Sequence, residues 1–226
     1  YVSLISKYMP LEGCGHEGEE QCGMHINVCN ANGPRAFAMI PQFAYQVQDD
    51  CVRVNFYAPS EAELVLPGKK PVRLKQTTDY PQTDQIEIEV DPAKETAFTI
   101  ALRIPAWSKI AVVSVNGQPQ DGVLQGAYLP VNRKWKKGDR ITVKLDLRAR
   151  LVERNQAQAI VRGPVVLARD SRFGDGFVDE ASVVVSKDGS VELTPVKTPG
   201  FAWLAFTAPM VLGTDLESNR APKQIP

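Results

Sequence analysis

Much is scarce or missing in this sequence. The 226 residues hold two histidines, four cysteines and three tryptophans, and the formal net charge is zero. A chain with no net positive charge has no electrostatic footprint for nucleic acid or for an anionic membrane surface. No apolar run approaches the ~18 residues that a bilayer span needs. The start, Tyr1-Val2-Ser3, has neither a basic segment nor a long apolar one, so no secretory leader is legible. There is no Gly-x-x-x-x-Gly-Lys phosphate loop, no serine elbow and no Cys-x-x-Cys. Four cysteines are too few for a disulfide scaffold of this size. The P-loop, serine-elbow and thioredoxin readings are thereby excluded.

What is present is a folded-domain composition, with 43% hydrophobic and 23% charged residues. That balance lies far from disorder, and the length suffices to bury a core without metal staples. The pattern along the chain divides into three parts: a head over residues 1–49, a strand-rich body over 50–150, and a weaker β pattern over 151–226.

In the head, residues 1–8 can form a strand. A Gly-, Glu- and Cys-rich loop follows, and then a helix with Asn32 as its cap and Pro34 in its first turn. Phe37, Ile40, Phe43, Ala44 and Val47 recur at helical spacing, with Pro41 expected to kink or split the helix.

The body alternates with period two over residues 52–56, 86–90, 98–104 and 141–147. Such alternation means one buried and one wet face, as in an antiparallel sheet. Pro67-Gly68, Asn116-Gly117, Asp121-Gly122 and Gly138-Asp139 supply turns, and Asn116-Gly117 reads as a tight hairpin. The fold expected is mainly β: an antiparallel β-sandwich, then a smaller β-unit of about five strands, with one short helix in the head.

Chemistry-bearing residues crowd the head. Cys14, His16, Cys22, His25 and Cys29 offer five zinc-type ligands, where a tetrahedral site needs four, or three and water. Their spacing matches no standard finger, and on spacing alone free thiols in a Gly-rich loop outweigh a metal site. Glu12, Glu17, Glu19 and Glu20 share the loop. A glycosidase needs two carboxyl groups across a sugar, and sequence neighbours rarely face each other that way. Trp107, Trp135 and Trp203 are candidates for stacking sugars but fit a sandwich core better.

Several segments, in order, resemble the C-terminal portion of the β-L-arabinofuranosidase family, glycoside hydrolase family 127. They are Pro10-Leu11-Glu12, Cys29-Asn30-Ala31-Asn32 with Arg35, Cys51 to Tyr57, Thr78-Asp79-Tyr80-Pro81, Leu102 to Ser108, Val115-Asn116-Gly117, the Gly138-Asp139 region, and Arg162-Gly163-Pro164. The resemblance implies that the head is the end of an (α/α)6 catalytic barrel. It implies a retaining hydrolysis of plant-type arabinofuranosides, in which zinc is held by one Glu and three Cys and one of those Cys is the nucleophile. It makes Cys29 a zinc ligand and puts Glu12 and Asn32 near substrate. It also implies a departure, because the nucleophile position is Val28, which can neither attack nor bind metal.

Three functions therefore stand as expectations. The leading one is the β-sandwich portion of such a hydrolase, inactive as this chain and partnered by a catalytic barrel or a second copy. The alternatives are a free-standing carbohydrate-binding module and a small zinc-binding protein. A glycosidase by resemblance, it is left open as an enzyme by its residues. Bacterial periplasm or cytoplasm are the compartments expected.

Overall fold

A computed structural model describes residues 28–154, 157–169, 181–197, 204–212 and 223–225. The expected strand at residues 1–8, the loop before Val28, and Trp203 lie outside the described residues.

One helix, α1 (Val28–Ala44), leads without a linker into β1 (Tyr45–Gln48). The strands of the body follow: β2 (Cys51–Val54), β3 (Ser60–Leu66), β4 (Lys70–Thr77), β5 (Gln85–Pro92), β6 (Thr96–Arg103), β7 (Val112–Val115), β8 (Gln118–Pro119), β9 (Tyr128–Trp135) and β10 (Asp139–Lys144). They form two sheets. One has the order β1-β2-β6-β9 and the other β3-β4-β5-β10-β7-β8. The alternation read in the sequence is the cause: in β5, Ile86, Ile88 and Val90 point inward while Glu87 and Glu89 are only half-covered. The inner faces meet in one core that includes Val54, Leu74, Ile88, Ile100, Trp135 and Ile141. This is a β-sandwich, mainly antiparallel as expected.

Five details differ from the sequence reading. The helix begins at Val28, and Pro34 and Pro41 lie inside it without splitting it. Each proline removes one backbone donor, but flanking turns carry the helix through. Asn32 is therefore one turn inside α1 and does not cap it. Its Oδ1 accepts from Arg35 Nη2, a pair three residues apart on one helical face. Val47 belongs to β1, because Tyr45 to Gln48 pair in register with Val54 to Cys51. Finally, β2 pairs with β6 in parallel, Cys51 opposite Thr99, since the chain visits the other sheet between them. The hairpin of β3 and β4 adds strands that the reading had not marked, turning at Pro67 to Lys69 with Gly68 and Lys69 at positive φ.

Beyond the sandwich come β11 (Ala149–Arg154), β12 (Ala157–Arg162), β13 (Val165–Leu167), β14 (Ala181–Val183), β15 (Ser190–Val191), β16 (Thr194–Pro195), β17 (Phe206–Leu212) and β18 (Lys223–Ile225). They make a sheet of order β13-β12-β11-β15 and another of β14-β17-β16, with β18 on β17. A second, smaller core gathers Ala149, Ile160, Val191, Ala208 and Met210. No described helix is long and apolar enough to cross a membrane.

Candidate functional site

Glu12, Cys14, His16, Cys22 and His25 lie outside the described residues. Val28 and Cys29 open α1. Among the described residues no three His, Cys, Asp or Glu side chains come together as a metal site.

The helix itself is held at its far end. Its last carbonyls have no partners within the helix. Asn55 supplies two: its backbone N–H donates to Ala44 O at 2.9 Å and its Nδ2 to Phe43 O at 2.9 Å. Asn55 Oδ1 in turn accepts from the Tyr128 hydroxyl on β9. Just beyond, the Tyr45 hydroxyl accepts from Gln76 Nε2 at 2.7 Å and bonds Ser60 Oγ at 2.9 Å. The end of α1 is thus fixed to both sheets. Its apolar side chains, whose helical spacing calls for burial against the sandwich or a partner chain, are not covered by the sandwich: Phe37 is 60% exposed, Ile40 47% and Phe43 54%.

The tryptophans divide. Trp135 is fully buried and donates through Nε1 to Phe98 O at 3.0 Å. Trp107 packs against the core edge beside Gly163. Neither is a free stacking platform.

The segments that resembled the family meet at two structural points. At the first, Asn116 Nδ2 donates to buried Asp139 Oδ1 at 2.9 Å, and Asn116 Oδ1 accepts the Arg140 N–H at 2.8 Å. Asn116 and Gly117 both have positive φ, as the tight hairpin requires.

The second point is the junction of sandwich and following sheet. Arg162 on β12 donates to Pro81 O at 2.8 Å and Gln82 O at 3.2 Å, and its guanidinium lies 5.2 Å from the Phe206 ring centre. Ser108 Oγ accepts the Asp146 N–H at 2.9 Å. Gly163, at φ +56°, leaves no room for a side chain: a Cβ there would lie 2.4 Å from Leu147 Cδ2. Tyr80 stacks edge-on against Tyr57, with ring centres 6.4 Å apart. Sequence reasoning had singled out Tyr57, Tyr80, Pro81, Ser108, Arg162 and Gly163 by resemblance. It had no signal that they converge.

The electrostatics suit structure more than catalysis. Arg73 Nη2, at 2.6 Å, holds the Asp91 carboxyl below its usual range, and the Arg148 guanidinium does the same for Asp146. Hydrogen bonds from Ser190 lower Asp188. Burial works to raise Asp139, but Asn116, the Lys136 N–H and the charges of Arg133 and Lys136 outweigh it and pull the carboxyl down. A glycosidase acid needs the opposite shift. Burial pushes the Tyr80 phenol up to about 12 and Tyr57 further, so neither gives up a proton near neutrality.

The model of the β-L-arabinofuranosidase GH127 middle domain matches residues 51–147. No curated protein sequence matches the chain. Among solved structures it is similar in fold to a GH127 β-L-arabinofuranosidase from Geobacillus stearothermophilus T6, at 23% identity and TM-score 0.72, covering 88% of this chain and 33% of that one. It is similar to a glycoside hydrolase at 26% identity and TM-score 0.68, covering 80% and 31%. It is also similar to a GH127 β-arabinofuranosidase at 25% identity and TM-score 0.67, covering 90% and 35%. The chain spans about a third of the length of each. Residues 51–147 are thus similar to the GH127 middle domain, and the chain as a whole is similar in fold to the C-terminal portion of β-L-arabinofuranosidase-like proteins.

Proposed function

We propose that the chain is the non-catalytic β portion of a glycoside hydrolase acting on arabinofuranosides, and that it is inactive alone. In this reading the head over residues 1–49 is the end of a catalytic barrel up to α1 and joins the sandwich through β1, residues 50–150 are the rest of the sandwich and 151–226 a smaller β-unit. One observation carries it. Helix α1 is anchored at its C-terminal end by Asn55 while Phe37, Ile40 and Phe43 stay exposed, an apolar face set out for a barrel helix or a second copy.

The retaining zinc–thiolate chemistry of the resembled family would then be done by groups outside the described residues. Zinc would supply thiolate activation there. Val28 has no lone pair to attack an anomeric carbon, and Cys29 alone is one ligand of four.

The test is hydrolysis of p-nitrophenyl β-L-arabinofuranoside by the purified chain, with and without added zinc. No turnover above buffer is expected, for the chain or for Val28→Cys. Turnover proportional to chain concentration and abolished by Cys29→Ala overturns the reading.

A further inference from the structure

The junction between the sandwich and β12 leaves an open groove of about 680 Å³. The sandwich contributes Thr83, Asp84, Ile110, Val112 and Lys144, and the far wall is Arg148 and Arg162. The volume is that of an ordinary small-ligand site. Its floor carries exposed apolar area, Ile110 and Val112 being more than half exposed.

The charges are unevenly matched. Lys144 Nζ pairs with Asp84 at 3.5 Å. Arg148 is held by Asp146 at 2.8 Å and by Asp188 at 3.3 Å. Arg162 differs. It is half-buried, its hydrogen bonds go to the carbonyls of Pro81 and Gln82, and its ring contact is Phe206. Among the described residues no carboxylate lies within ion-pair distance of it. Its nearest neighbours are carbonyl dipoles and a ring, and the one carboxylate whose charge reaches it, Asp84, lies beyond ion-pair distance and pairs with Lys144, so the half-buried guanidinium remains short of a full counter-charge. It has five N–H donors in a planar fork, and two carbonyls do not use them all.

We propose that this groove binds a small carboxylate, borne by a uronic acid or by a free organic acid, with Arg162 as the anion anchor and Lys144 as the second cation. The planar fork matches a carboxylate better than it matches a hydroxyl. The Asp84 carboxylate, on the groove wall, sets the limit on affinity. A sugar ring would lie over Ile110 and Val112, with Thr83 in reach of a hydroxyl. The site stands apart from the glycosidase reading, because neither α1 nor any residue before Val28 takes part.

The test is calorimetric titration of the full chain at low salt with galacturonate, acetate and galactose. One site per chain is expected for galacturonate and weaker binding for acetate. Galactose should not bind, and binding should weaken at least threefold in 0.5 M NaCl. Binding of galacturonate and acetate with equal affinity would assign the site to free organic acids. Asp84→Asn should tighten binding severalfold. Lys144→Gln, at a side chain outside the junction contacts, should weaken it severalfold without changing the melting temperature. Arg162→Met should abolish it, and Lys144→Gln decides the matter should that variant fail to fold. Equal binding of galactose and galacturonate, no binding of either acid, or indifference to Asp84→Asn and Lys144→Gln would overturn the proposal. A chain that binds galacturonate yet hydrolyses an arabinofuranoside overturns only the reading of inactivity.

Discussion

Asn116 and Asp139, 23 residues apart, close one end of the sandwich together. The amide that donates to the carboxylate also accepts from the next residue's backbone, and the carboxylate's other oxygen takes the Lys136 N–H at 3.0 Å. One hairpin tip and one strand start are thereby made a single unit. Removing the buried Asp139 leaves the Asn116 amide and the Lys136 backbone N–H without their acceptor. Asp139→Ala is expected to cost about 1–3 kcal/mol. Urea unfolding at neutral pH checks it, with the melting slope unchanged.

The same carboxylate predicts an acid signature. Its pKa lies lower in the folded chain than the ordinary 3.8. Its stabilisation is therefore complete above the unfolded value and is lost as pH falls through the folded one. Melting temperature measured from pH 6 to pH 2.5 should drop more steeply for the native chain than for Asp139→Asn. Parallel curves would contradict the assignment.

Gly163 predicts a second loss of stability. Any side chain must accept φ +56° and displace Leu147. Gly163→Ala should destabilise by roughly 1–3 kcal/mol, from left-handed backbone and crowding together. Adding Leu147→Ala removes the clash but not the backbone strain, so the double variant tests which dominates.

Helix α1 predicts association. Four large apolar residues exposed on one helix, Phe37, Met39, Ile40 and Phe43, favour contact with another surface. The chain is expected to sediment as dimers or larger species. Phe37→Ser with Phe43→Ser should give monomer at an unchanged melting temperature, since neither side chain packs in the core. A monodisperse native monomer would count against the exposed face as an interface.

The strands were the legible part. Residues 86–90 alternate so regularly that burial follows period by period, and Asn116-Gly117 announces its turn because few other pairs tolerate two positive φ values. The end of α1 was not legible. Val47 continues the helical spacing of Phe43, and only pairing with Val52 makes it strand. Nor was the junction. Arg162 and Pro81 are 81 residues apart, and nothing local in either says that one will bind the other. The candidate zinc ligands were conspicuous as residue types, but Cys14, His16, Cys22 and His25 fall outside the described residues, and type alone does not place them.

The parallel pairing of β2 with β6 sets an order of events during synthesis. Cys51 must await Thr99, and β6 must await Tyr128 to Trp135 on its other side. At roughly 5–20 residues per second, the β1–β2 ribbon leaves the ribosome several seconds before its neighbour exists. During that interval Val52 and Val54, destined for complete burial, have only the β3–β5 strands to shelter them. Contacts this distant in sequence slow folding and lengthen exposure of the open edge. The sandwich is thus most vulnerable to misassociation in the window before its sixth strand arrives.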